Sequence, residues 1–400
     1  MNARRSLHPM NAGVFARALP AIALIALLVV WIAAAWICDD AFITFRTVQN
    51  LWHGDGLTWN PGQRVQAYTH PAWMLLCALG YGLSSECYVS ALGLSLVLTF
   101  ATALALIYPL RASPLMAATL IFVLSASSAF VQYTSSGLEN PLLFFLLVLF
   151  SAEVRRVDVS EDLTRPALLA SAIALTRIDA LVLIGPACLA LLPPRKSDRR
   201  RALLELSLGA SPLLAWEIFS LVYYGAFVPN TAIAKLNVEV PAEQLYGHGA
   251  AYLVDSLSRD PLTLGVALAA ALLLARRRQR QEQATVLGLL LYVVYLLRIG
   301  GDFMSGRFCG SLLVLALAAL SRSLEHFDYE RVLLAGVIAY AALWPNSPWH
   351  IQLEYGHGLG FADVVQPNGI ADERAFYYPS TGLLRVLSHR NEIAEHDWPM

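Results

Sequence analysis

The stretch CDDAFITFRTVQNLWHGDGLTWNPGQRVQAYTHPAW, residues 38–73, begins where a long apolar run, residues 21–37, stops. Two adjacent carboxylates, Asp39 and Asp40, therefore stand at a membrane surface, where acids at the end of an apolar span cost desolvation energy and point to function. Phe42, Phe45, Val48, Gln49 and Trp52 recur at helical spacing, which predicts an amphipathic helix along the interface rather than a second span. Gly54, Asp55, Gly56, Asn60, Pro61 and Gly62 then break the pattern into loop. An Asp ahead of residues 41–50 is a favourable N-cap in any helix, which accounts for one acid and not for two.

Working outward, 57% of the 400 residues are hydrophobic and 14% charged, against roughly 25% charged in soluble domains, and the mean hydropathy is +0.55. An ordinary soluble enzyme is excluded, and the bilayer is the main solvent. A net charge of -1 excludes a nucleic-acid-binding role for the whole chain, which needs a basic face. The five cysteines show no C-x-x-C pair or metal spacing, and a disulfide between Cys77 and Cys87 is not the expected state. Arg4, Arg5 and Arg17 ahead of the first apolar run mimic a signal peptide, but cleavage would remove the anchor just before the acids, so the run reads as a retained span.

Taking apolar runs as spans and Lys/Arg clusters as inner markers places the N-terminus inside. The expected fold is an all-α polytopic membrane protein with about eleven transmembrane helices at ~20 residues per span. Residues 1–345 form its membrane domain, with a first outer loop at 38–87 and a long outer loop at 225–261; residues 346–400 form a short outer C-terminal segment. Residues 71–83 are too short to cross and read as a second interfacial helix. The short runs 167–175 and 181–192 form a hairpin whose tip, TRIDA (176–180), dips into the bilayer where protein can satisfy Arg177 and Asp179. Most of the 28 Lys and Arg residues fall in inner loops, while the polar, Gly-rich and Asp-rich stretches gather on the outer face. No internal repeat is visible.

A carboxylate near low-dielectric surroundings can be tuned into a general base, and Asp39 and Asp40 are the candidates. Adjacent acids also resist double ionisation, so one can hold a proton or a divalent cation while the other acts. Arg46, Arg64, Arg177, Lys235, Arg298 and Arg307 could meet a lipid phosphate, although each alone reads equally as a headgroup anchor. RIGGDFMSGR, residues 298–307, is harder to explain as an anchor, because its paired glycines let backbone N–H groups approach a phosphate. Trp52, Trp59, Tyr68, Trp73 and Asn230 could bind a sugar ring, and His53 and His70 flank the same loop. Interfacial aromatics and a hydrogen-bonded structural His are the plainer readings.

CDDAFITFR, GLTWNPGQRVQAYTHPAW, SGLEN (136–140), TRIDA, YGAFVPNTAIAK (224–235), GGDFMSGRF (300–308) and DERAFYYPSTG (372–382), in this order, resemble the lipid-phosphate-dependent arabinofuranosyltransferases of the GT-C superfamily. Those of mycobacterial cell-wall arabinan and of pseudomonad pilin are similar. The resemblance implies a GT-C glycosyltransferase fold with interfacial helices in the first periplasmic loop, in a bacterial inner membrane. It implies inverting transfer of arabinofuranose from a polyprenyl-phosphate donor to a periplasmic glycan or protein acceptor, with the base drawn from the first-loop pair, Asp39 by preference. Arg46, Tyr68, His70, Glu139, Arg177, Asp179, Asn230, Lys235, Asp302 and Arg307 match motif loops and are expected to line the donor or acceptor site. No dedicated cofactor is implied, and a divalent cation is left open. The mycobacterial relatives carry a sizeable C-terminal outer domain where residues 346–400 stand here, which makes a bulky arabinan acceptor the less expected one. A polyprenyl-phospho-hexose transferase of mannose type is the alternative within the fold. A lipid-linked-sugar transporter is the alternative outside it, disfavoured because transporters show repeated halves and midplane charges.

Overall fold

The computed structural model describes residues 9–110, 113–160, 162–192, 199–229, 240–321 and 329–388. Among these the regular structure is helical, with two isolated bridges, Met304 with Ala371 and Val365 with Ala371, in place of strands. In a bilayer every backbone N–H and C=O must be satisfied within its own segment, and apolar runs of this length meet that demand only as helices.

Four helices are long and apolar enough to cross a membrane alone: α1 (Pro9–Ala34), α4 (Cys87–Ile107), α10 (Arg199–Tyr224) and α13 (Arg280–Ile299). α5 (Pro114–Ala126) turns by 71° into α6 (Ser128–Thr134), and α11 (Ala242–Arg259) turns by 104° into α12 (Pro261–Ala275). Counted as broken spans, these pairs bring the number to six. One further crossing expected from the sequence falls on α7 (Asn140–Ser160), and four more fall on α8 (Thr164–Thr176), α9 (Ala180–Leu191), α14 (Cys309–Ser321) and α15 (Glu330–Leu343), which are shorter. At ~1.5 Å rise per residue each of these four is about 18–21 Å long, short of a ~30 Å hydrocarbon core.

Burial separates inner from outer helices. α14 is buried along its whole length and α5 from Met116 onward, whereas α10 presents Leu203, Leu208, Ile218 and Val222 on an open face. Apolar exposure on that scale is unfavourable in water and natural against lipid. Where two helices cross closely, a small residue permits it: a Cβ at Gly288 of α13 would run into the Leu183 carbonyl of α9.

Both helices predicted in the first outer loop are present, as α2 (Asp39–His53) and α3 (Pro71–Ser84). α2 buries Ala41, Thr44, Phe45, Thr47 and Val48, and stops at Gly54, whose left-handed φ of 90° lets its N–H bond back to Asn50 and Leu51. Pro71 opens α3 at a position where its missing N–H costs nothing. Trp52 ties the two together by donating to Ala78 O at 2.9 Å. After α15 the chain turns back through α16 (Phe361–Val364), α17 (Glu373–Thr381) and α18 (Leu383–Ser388), and covers the end of the bundle where α2 begins.

Candidate active site

The backbone leading into the acid pair is bonded on both flanks. On one side Trp36 N–H donates to Ser135 O at 3.0 Å and Cys38 N–H to Ser136 O at 3.1 Å. On the other, Thr381 Oγ1 donates to Ile37 O at 2.7 Å and accepts from Ile37 N at 3.2 Å, while Tyr378 OH reaches Ala33 O at 2.8 Å. These bonds satisfy buried backbone groups that no helix supplies with partners, and so fix where α2 starts. Cys38 is the N-cap, so neither acid caps the helix, contrary to the plainer reading of the sequence. Asp39 and Asp40 both occupy the first turn, where the helix dipole favours negative charge. Asp39 is exposed, accepts from the Asp40 N–H at 2.7 Å and is hydrogen-bonded by Tyr377. Asp40 is partly exposed and faces Arg307 Nη1 at 3.8 Å.

Glu139 is the hub of the charges behind this pair. Three buried indoles hold its loop: Trp36 Nε1 donates to Gln132 O at 3.1 Å, Trp31 Nε1 to Thr134 O at 3.2 Å, and Trp73 Nε1 to Gly137 O at 3.0 Å. Gly137 turns with φ +79°, and a Cβ there would meet Ile37 Cδ1 at 2.7 Å, so the turn requires glycine. The carboxylate delivered inward is 2% exposed and lies 3.1 Å from both Arg177 Nη1 and Arg307 Nη2. Burial opposes its charge, but Arg307, His70 and Arg177 outweigh burial and hold the carboxyl down at about 2.

Each arginine is positioned in turn. Arg177 grips Asp179 with Nε at 3.0 Å and Nη2 at 2.8 Å, lies 4.3 Å over the Phe308 ring, and shares Asp179 with the Tyr292 hydroxyl at 3.1 Å. This is the protein satisfaction that the hairpin tip needs if it dips into the bilayer. Arg307 Nη1 also lies 3.6 Å from Asp302 Oδ2, and its buried Nε has no hydrogen-bond partner. His70 sits 3.5 Å from Glu139 Oε2 and bonds Thr44 Oγ1 at 2.7 Å through Nε2. Burial, opposed by Glu139 and helped by the two guanidiniums, lowers its pKa.

Of the residues nominated from sequence, the structure joins Asp40, His70, Glu139, Arg177, Asp179, Asp302 and Arg307 in one network, with Asp39 at its exposed rim. Tyr68 is one step removed, its ring 6.4 Å from His70 and its hydroxyl 3.0 Å from that of Tyr224. Arg46 stands apart, stacked 4.8 Å from the Trp59 ring and donating to Trp59 O at 3.0 Å. Asn230 and Lys235 lie outside the described residues. One acid was missed: Glu373, 7% exposed at the start of α17, with Oε2 lacking a hydrogen-bond partner. Burial, then the nearby Asp39, Asp40 and Asp302, push its carboxyl up to about 8, so it is protonated at neutral pH. Its signal was the acid pair opening DERAFYYPSTG, one of three adjacent acid pairs in the chain with Asp39–Asp40 and Glu161–Asp162.

Carboxylates outnumber guanidiniums in this network, an arrangement that favours positive charge on a bound group, and Arg307 keeps its buried Nε–H unpartnered. Among the described residues no three His, Cys, Asp or Glu side chains are grouped to hold a metal ion.

No protein-family model and no solved structure matches the chain. It is 30% identical to the terminal β-(1→2)-arabinofuranosyltransferase of Mycobacterium tuberculosis over 88% of its own length, and 30% identical to the protein of the same name from Corynebacterium glutamicum over 71%. It spans 64% and 47% of the lengths of these two relatives. With that much similarity running through most of its sequence, the chain is a homologue of the terminal arabinofuranosyltransferases.

Proposed function

We propose that this chain is a membrane glycosyltransferase of GT-C fold, with about eleven crossings, that faces the periplasm from a bacterial inner membrane. It transfers an arabinofuranosyl unit, with inversion, from a polyprenyl-phosphate donor to a hydroxyl of a periplasmic glycan or protein. The observation that carries this reading is the meeting of an exposed acid pair with Arg307 and Glu139 at one end of the bundle, in a homologue of proteins named as arabinofuranosyltransferases.

In this reading the carboxylate of Asp39 takes the proton of the acceptor hydroxyl as its oxygen attacks the anomeric carbon from the face opposite the phosphate. The carbon–phosphate-oxygen bond breaks with its electron pair going to the phosphate, and the configuration inverts. Asp40, held by Arg307, keeps its place in the first turn of α2. Arg307 meets the charge that gathers on the departing phosphate. A positioned general base contributes roughly 10²–10⁴-fold to rate.

The test uses purified protein with synthetic polyprenyl-phospho-arabinofuranose beside polyprenyl-phospho-mannose, scored by loss of donor. Consumption of the arabinose donor is expected, with Asp39→Asn or Asp40→Asn lowering turnover by about 10² or more while the protein stays inserted and extractable. Consumption of the mannose donor alone would move the chain to hexose transfer. Wild-type turnover by both variants would remove the base.

A further inference from the structure

Beside the loop that carries Arg307 lies a polar cavity, of about 200 Å³, that the chemistry above does not use. It shares a wall with the candidate active site: Ser305 and Gly306 precede Arg307, and Asp372 and Arg374 flank Glu373. Its other walls come from the start of α6, the bend between α11 and α12, and residues 345–355. Among its lining residues only Ala129, Gly306, Pro345 and Pro348 lack a polar side chain.

The two arginines of this wall, Arg259 and Arg374, are matched in number by two aspartates, Asp260 and Asp372. Arg259 pairs with Asp372 at 3.2 Å and, outside the lining, with Asp255 at 3.0 Å, and Tyr355 donates to Asp372 at 2.6 Å. Asp260 is spent on Ser127, Thr263 and the Ala129 N–H. A phosphate or a carboxylate would need a surplus of positive charge that this arrangement does not offer. A neutral molecule with many hydroxyls, each both donor and acceptor, matches it better. The side-chain amides of Gln132, Asn346 and Gln352 present both kinds of group, and Tyr133 and Tyr355 add aromatic rings. Arg374, 8% exposed and lying 4.2 Å over the Tyr355 ring, keeps Nε without a hydrogen-bond partner. The volume equals about six or seven waters at about 30 Å³ each, enough for one sugar ring.

We propose that this cavity binds a neutral saccharide unit of the acceptor, adjoining the unit whose hydroxyl is glycosylated. The inference rests on the transfer reading above and names the acceptor as a glycan rather than a peptide. The lining is mainly polar, which suits hydroxyls better than the apolar side chains of a peptide.

The test separates binding from transfer. Detergent-solubilised full-length protein, without donor, is titrated with an arabinofuranosyl trisaccharide, with inorganic phosphate and with a Ser/Thr-rich peptide, following thermal midpoint and tryptophan fluorescence. The trisaccharide is expected to bind and stabilise. Gln352→Ala combined with Gln132→Ala is expected to weaken that binding, and to raise the acceptor KM, by about tenfold for two lost hydrogen bonds. Phosphate or peptide binding in place of the sugar, or equal sugar binding by wild type and variant, would overturn the proposal. Donor turnover without sugar binding would overturn it and spare the transfer reading. Sugar binding without turnover of any donor would remove the acceptor role and the transfer reading together.

Discussion

Replacing Glu139 by Gln keeps the shape of the side chain and removes the charge on which two buried arginines depend. Glu139 is 2% exposed and 3.1 Å from each guanidinium, and the side chains of Arg177 and Arg307 are both 12% exposed. Removing one partner of a buried ion pair costs about 3–5 kcal/mol, because the remaining charge stays desolvated, and here two such charges are left. Arg177 keeps Asp179 and Arg307 keeps Asp302 and Asp40, so the loss stays inside that range rather than doubling it. At roughly 2 °C per kcal/mol for a large chain, the variant should unfold about 6–10 °C below wild type at pH 7. The assay is tryptophan fluorescence during heating at one scan rate, with Trp73, bonded to Gly137 O, as a local reporter. The pH dependence has a fixed sign. A carboxyl held at about 2 in the folded state, against about 4.3 unfolded, contributes stability that is present above 4.3 and lost as pH falls toward 2. The gap between wild type and variant should therefore close by about pH 2–3. A midpoint within 1 °C or so of wild type at pH 7, or a gap that persists at pH 2, would show that Glu139 does not hold the network together.

Other perturbations have equally definite outcomes. Gly137→Ala places a Cβ 2.7 Å from Ile37 Cδ1 at φ +79°, and should cost about 1–3 kcal/mol; equal stability in a denaturant titration would mean that the loop yields. Glu373→Gln removes a carboxyl raised to about 8, for which folding becomes less favourable as pH climbs from about 4.5 to 8. The variant should show a flatter thermal midpoint between pH 6.5 and 8, and an unchanged slope there would be the contrary result. Trp73→Phe leaves Gly137 O without its buried donor and should cost about 1–3 kcal/mol, measured in the same titration.

How much was legible depends on the range of the contact. The opening of α2 could be read from Asp39 and the loop after it, because helix periodicity and a glycine stop are local signals. That the charged motifs would meet followed from the membrane, which sorts Asp302, Arg307, Glu139 and Arg177 to one end whatever their separation along the chain. What escaped was pairing without a pattern. Nothing in the sequence says that Thr381 bonds Ile37 across 344 positions, or that three indole N–H groups converge on carbonyls 132, 134 and 137. Glu373 looked like one more motif letter, because its burial depends on that pairing. Arg46 was grouped with the site because its stretch matches a motif, and in the structure it contacts Trp59 of the same loop. The expected crossing count rested on apolar runs, and several of those runs became helices of 12 to 14 residues.

The clasp of Thr381 and Tyr378 on residues 33–37 sets a timetable for biosynthesis. The acids leave the ribosome early, and the helix that finishes their cradle, α17, follows with Thr381 344 residues after Ile37. At about 5–20 residues per second the nascent protein spends roughly 17–70 s in the membrane with that cradle half-built. A ribosome stalled anywhere in that interval would yield an inserted but unfinished protein, its carboxylates displayed and its final brace unmade.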